Sequence, residues 1–192
     1  QSGDLTGLNL AKKHTQAGVS NYSTGWLDIA ISGNFTSTGL VISATSTVSN
    51  RFLETVSMLE GTAAVTTMAN MFYGCNSLQS VPLFNTAAVT TMANMFYNCY
   101  SLQSVPLFNT AAVTTMSYMF SGCYTLQSAA ISPVKVSLSL SGCLLSKNSI
   151  IDIFNSLATV AGQTITVSSN WGYTLLTTTD REIATNKGWT IA

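Results

Sequence analysis

Charge is what this sequence has least of. Only 7% of its 192 residues are charged, seven bases against seven acids, where a soluble domain ordinarily carries about a quarter. Without a basic stripe there is nothing to grip a phosphate backbone, which excludes nucleic acid as a partner. Histidine occurs once, at His14, and no Cys-x-x-Cys pair is present, so the usual routes to a metal site are missing. Long hydrophobic runs are absent as well. Although 46% of residues are hydrophobic, no uninterrupted stretch nears the ~18 residues that would suit a membrane helix. Phosphate loops, nucleophile elbows, dinucleotide fingerprints and zinc-protease helices are all lacking. The expectation is a non-enzyme with no catalytic residue, no cofactor and no metal. The chain opens on Gln1 rather than Met, which suits removal of a leader or a start within a longer precursor.

What the sequence has instead is repetition. Residues 65–88 read VTTMANMFYGCNSLQSVPLFNTAA and residues 89–112 read VTTMANMFYNCYSLQSVPLFNTAA, differing at two positions. A looser third copy, VTTMSYMFSGCYTLQSAAIS, starts at Val113. Met71, Met95 and Met119 are thus 24 residues apart, and so are Cys75, Cys99 and Cys123. A fixed period of this length marks units that bury their apolar faces only by stacking on one another.

Within a unit, Met68, Met71, Phe72, Cys75 and Leu78 fall at helical spacing behind Thr66 and Thr67, which predicts a short capped helix. Gly74, Asn98 and Gly122 stand where a left-handed residue would end it. The pattern then changes to a strand, with Val81 and Leu83 on the core face, Pro82 on the other, and residues 85–88 turning back. Cys75, Cys99 and Cys123 share one repeat position and are expected as a ladder of buried thiols, reduced in preference to disulfide-linked, with Cys143 a candidate to extend it.

The string L-x-S-V-P-L-F-N-T-A-A-V-T-T-M-x-x-M-F-x-x-C-x-x-L resembles the leucine-rich repeats of BspA-type bacterial surface antigens in their Met-Phe-rich variant. Similar repeats occur in mycoplasma lipoproteins and phage virion proteins. The resemblance implies an α/β repeat fold: a short leucine-rich-repeat solenoid of 24-residue coils, each a strand plus a short helix. The chain divides into an extended N-terminal arm (1–19), a β-rich N-terminal cap (20–52), the solenoid (53–135) and an α/β C-terminal cap (136–192). In the last region a helix is predicted over 148–158, a strand over 164–167, a second short helix from Thr179 and a final strand over 189–191.

Outward-facing columns supply the candidate binding surface. Tyr73 and Tyr97 form one, and Tyr100 and Tyr124 another. Ser80 and Ser104 align on the sheet face, with Phe84 and Phe108 near the strand ends. Rings set among small polar groups suit contacts with sugars or proteins, although packing of the tyrosines on adjacent coils explains them equally well. Composition and resemblance together point to an extracellular or virion-surface recognition or adhesion module within a larger assembly, taking a host glycan or protein. The alternative is structural: decoration of a phage capsid, tail or filament, with neighbouring subunits as partners.

Overall fold

Backbone groups in the repeats find their partners one unit away. The computed structural model describes residues 52–58 and 61–192, together with the backbone of five short strands between residues 8 and 41. In the first unit the N–H groups of Met68, Asn70, Phe72 and Gly74 donate to the carbonyls of Thr91, Ala93, Met95 and Tyr97 at 2.7–3.0 Å. Met92, Asn94, Phe96 and Asn98 donate to Thr115, Ser117, Met119 and Ser121 in the same way, at 2.8–3.1 Å. The intervening N–H groups of Met71, Tyr73 and Cys75 close turns onto Met68, Asn70 and Phe72. Alternation of this kind cannot coexist with an α-helix, whose every N–H is spent on its own chain. The predicted short helix is therefore corrected to a file of turns. Two positions per unit make the turns possible by adopting left-handed backbone: Asn70 (φ 59), Asn94 (φ 54) and Tyr118 (φ 57), then Gly74 (φ 67), Asn98 (φ 58) and Gly122 (φ 81).

The opposite side of each unit is extended. Gln79 donates to Glu54, Gln103 to Gln79 and Gln127 to Gln103 through their backbones. Five N-terminal strands are β1 (Leu8–Asn9), β2 (His14–Gln16), β3 (Val19–Tyr22), β4 (Asp28–Ile31) and β5 (Leu40–Val41). β1 pairs with β5 in parallel, and β2 with β3 antiparallel. The remainder of the expected arm and N-terminal cap lies outside the described residues. β4 pairs in parallel with β6 (Thr55–Met58), Asp28 opposite Thr55. β7 (Ser104–Asn109) and β8 (Ser128–Ser132) also pair in parallel. Val105 lies opposite Ala129 but Phe108 opposite Ile131, so β7 carries one extra residue.

That extra residue overturns the alternation read from the sequence. Leu83 and Leu107, expected in the core, are 67% and 61% exposed, while Phe84 and Phe108 are buried. Pro106 lacks an N–H and sits in the bulge, where a one-residue insertion reverses which side chains face inward.

Stacked copies then build a single core. Phe72, Phe96 and Phe120 lie nearly parallel at centroid separations of 5.5 and 5.7 Å. Buried threonines tie unit to unit: Asn85 N–H donates to Thr62 Oγ1 (2.7 Å), Thr86 Oγ1 to the Asn109 carbonyl (2.9 Å) and Thr110 Oγ1 to the Pro133 carbonyl (2.6 Å). Each bond satisfies a polar group that burial would otherwise leave costly. The four cysteines are buried and free of disulfides. Cys99 and Cys123 donate to the Phe72 and Phe96 carbonyls, both at 3.1 Å. Burial raises the pKa of Cys99 and Cys123 and pushes Cys143 up to about 12.

The same core continues to Trp189. β9 (Leu138–Ser139), β10 (Gln163–Thr166) and β11 (Trp189–Ile191) form a parallel sheet with β10 at its centre. The connections are α1 (Lys147–Ser156), a 3-10 turn (Trp171–Leu175) and α2 (Thr178–Thr185). Ser146 caps α1, and Thr177 with Asp180 forms a capping box on α2. Lys147 joins the two helix starts through a 2.7 Å ion pair to Asp180. These bonds hold the Asp180 carboxyl down to about 2, so its stabilising effect is present above pH 4 and lost as pH falls through about 2. Asn170, fully enclosed, accepts from Leu145 N–H and donates to the Leu140 and Val167 carbonyls.

Three measurements test this packing. Phe108→Ala should cost about 3–5 kcal/mol in denaturant unfolding, whereas Leu107→Ala, one residue away, should change stability by less than about 0.5 kcal/mol. The opposite ranking would restore simple alternation. Second, a thiol reagent at pH 8 should leave all four cysteines unmodified in the folded chain and label all four after denaturation. The raised thiols contribute stability that is whole below their ordinary value of 9.0 and declines as pH climbs toward about 12. A midpoint unchanged between pH 8 and pH 11 would contradict that linkage.

Candidate functional site

The turn side of the repeats carries both tyrosine columns. Tyr73 and Tyr97 stack at 4.8 Å, and packing on the neighbouring unit leaves both half-buried. Tyr100 and Tyr124 stack at 5.5 Å with their planes 10° apart, and they stand 40% and 61% exposed. Ser80 and Ser104 are exposed on the strand side. Phe84 and Phe108 do not belong to any surface. They are 3% and 0% exposed, packed on Phe72 and Phe96 at centroid separations of 6.0 and 6.4 Å, and the β-bulge of β7 turns Phe108 inward. The predicted surface thus separates into exposed tyrosines on turns, exposed serines on strands and two phenylalanines of the core.

A cleft lies where the repeats meet the C-terminal sheet. Residues 136–143 (VSLSLSGC) occupy the place of a fourth turn segment. At one end they meet the third unit: Cys143 Sγ lies 4.0 Å from the Phe120 carbonyl, and Leu144 N–H donates to the Leu126 carbonyl at 2.9 Å. Upstream they part from it, since Leu138 and Ser139 pair with β10 instead. The resulting cleft has a volume of about 580 Å³. One lip carries Ser117, Tyr118, Ser121, Gly122 and Tyr124. The other carries Ser137, Ser139 and Ser141, with Thr164 and Thr166 behind them. Ser137 Oγ is fixed by a 2.9 Å bond to Gln163 Oε1, and Ser141 Oγ by one of the same length to Ser169 Oγ.

Tyr118 was not among the residues predicted from sequence. It is 67% exposed and holds φ 57 at a position where the other units place asparagine. A tyrosine in that conformation costs about 1–3 kcal/mol, of the kind concentrated at binding sites. Its signal in the sequence is the break in an otherwise faithful repeat: Asn70, Asn94, then Tyr118. Ser121 likewise replaces Tyr73 and Tyr97, and the missing ring leaves the space that becomes the cleft.

Among the described residues no group of three or more potential metal ligands is assembled. No helix among them is long and apolar enough to cross a membrane. Every described cation holds a structural contact: Lys135 to the Ala111 carbonyl, Lys147 to Asp180, Arg181 to the carbonyl and ring of Tyr173, and Lys187 to the Phe154 and Asn155 carbonyls.

Comparison with known proteins adds one finding. No curated protein matches the chain, and no solved structure does. Residues 44–137, which take in all the repeat units and their first junction with the C-terminal region, are similar to the family described as DUF285, Mycoplasma protein of unknown function.

Proposed function

We propose that the chain is a non-enzymatic recognition module on the surface of a virion or bacterial cell, holding a host glycan or protein. In this reading residues 53–135 form a leucine-rich-repeat solenoid of BspA type, the finer form of the family similarity, with regions on either side serving as caps. The observation that carries it is the exposed Tyr100–Tyr124 stack. Two rings held parallel by inter-unit hydrogen bonds offer area to a ligand without losing freedom on binding. The buried thiols and the engaged cations leave the scaffold rigid and chemically inert, as a binding platform requires.

The structural alternative, decoration of a capsid, tail or filament, has its own support in Leu83 and Leu107. These neighbours on the strand side are two-thirds exposed, and such an apolar pair is covered when copies assemble. Concentration-dependent association that Leu107→Ser abolishes would favour this reading.

Fluorescently labelled full-length chain should adhere to intact bacterial host cells or to members of a printed glycan array. Tyr100→Ala should weaken that adhesion by at least about tenfold, as loss of an aromatic anchor does, with little change in unfolding midpoint. Adhesion undiminished in a Tyr100→Ala, Tyr124→Ala double variant, or no adhesion at all, would sink the proposal.

A further inference from the structure

We infer that the cleft between the third repeat unit and the C-terminal sheet is the ligand seat, and that its ligand is an uncharged oligosaccharide. The inference rests on the recognition reading and adds to it a place and a chemical class. Its first support is where the third unit departs from the second. Across residues 113–128 the changes fall at Ser117, Tyr118, Ser121, Gly122 and Thr125. All but Thr125 line the cleft. An array that copies its core side chains faithfully from unit to unit has altered those that face this cleft.

The backbone supplies the second support. In the first two units a row of alternate N–H groups donates to the next unit. The corresponding groups of the third unit belong to Met116, Tyr118, Phe120 and Gly122, and among the described residues they meet no acceptor. The ladder runs in one direction, so this last row faces the cap side, and Met116, Tyr118 and Gly122 line the cleft itself. Unspent N–H donors on a rigid edge are binding groups for an oxygen-rich ligand.

Side-chain chemistry selects the class. Seven of the lining residues are serine or threonine and none is charged. Hydroxyls both donate and accept, which matches the hydroxyls of a sugar and gives a carboxylate, phosphate or ammonium no counter-charge. The described cations are already engaged elsewhere. Tyr118 and Tyr124 stand at the rim with their rings exposed, in position to cover the C–H face of a pyranose. The volume of about 580 Å³ falls in the range of small-ligand sites.

The test uses the full chain against arrayed uncharged oligosaccharides of glucose, galactose, mannose, xylose and N-acetylglucosamine, with sialylated and sulfated glycans and extended peptides as comparators. Two variants restore what the earlier units carry: Ser121→Tyr, which returns a ring to the cleft, and Tyr118→Asn, which relieves the left-handed tyrosine. Both should unfold at or above the wild-type temperature. At least one uncharged oligosaccharide should bind, each variant should weaken it by about tenfold or more, and added salt should leave affinity unchanged. Binding that survives Ser121→Tyr but is lost in Tyr100→Ala would overturn the cleft while leaving the recognition module standing. So would preference for a charged glycan or a peptide, or host-cell adhesion without any uncharged ligand. Absence of both adhesion and glycan binding would remove the two together.

Discussion

One bond repeated along the chain governs this molecule: an N–H of one unit donating to a carbonyl of the next, at every second residue of the turn segment. It sets the unit length, because an insertion inside the segment would move each later donor off its acceptor. It also repeats the same contacts from unit to unit, so phenylalanine stacks on phenylalanine and the thiols of Cys99 and Cys123 each meet the phenylalanine carbonyl of the preceding unit. A core built of self-stacking columns tolerates little change in volume at any level. The near identity of residues 65–88 and 89–112 is what this packing demands.

Much of this was readable from the residues, and the misreadings have definite causes. Period, unit boundaries and the buried thiol positions follow from counting. The elements at 147–156, 163–166 and 189–191 follow from ordinary periodicity and caps. The repeat's turn segment has a helix-like pattern because overlapping turns, each closing over three residues, put Met68, Met71, Phe72 and Cys75 on one side, as a helix would. Hydrogen bonding to another unit leaves no trace in a single unit's periodicity. Leu107 and Phe108 exchanged roles for a similar reason. A one-residue bulge is invisible in a hydrophobic pattern where both candidates are apolar, and only the pairing with Ala129 and Ile131 reveals it.

The cleft was hidden more deeply, since it is made partly of what is missing. Ser121 matters for the ring it lacks, and Leu138 and Ser139 matter because they pair with β10 rather than with the third unit. Neither fact is local. Tyr118 carries a further signal, the replacement of asparagine at a left-handed position. Recognising it required knowing beforehand that the position is left-handed. Asparagine in two copies was a clue to that conformation, because asparagine tolerates it better than most residues.

A stack of copies has little freedom to evolve a site within itself, since any change in one unit must suit the unit above and the unit below. Its ends are released from that requirement. The third unit faces a dissimilar sheet, so Ser117, Tyr118, Ser121 and Gly122 answer to no copy on that side, while Met119, Phe120 and Cys123, which still pack on the second unit, are unchanged. The low charge fits the same division. The cations that are described serve the framework, and the cleft is furnished with hydroxyls and backbone donors. Specificity built from such groups depends on their exact placement rather than on field strength. A rigid ladder ending abruptly beside a rigid sheet is the arrangement that provides it.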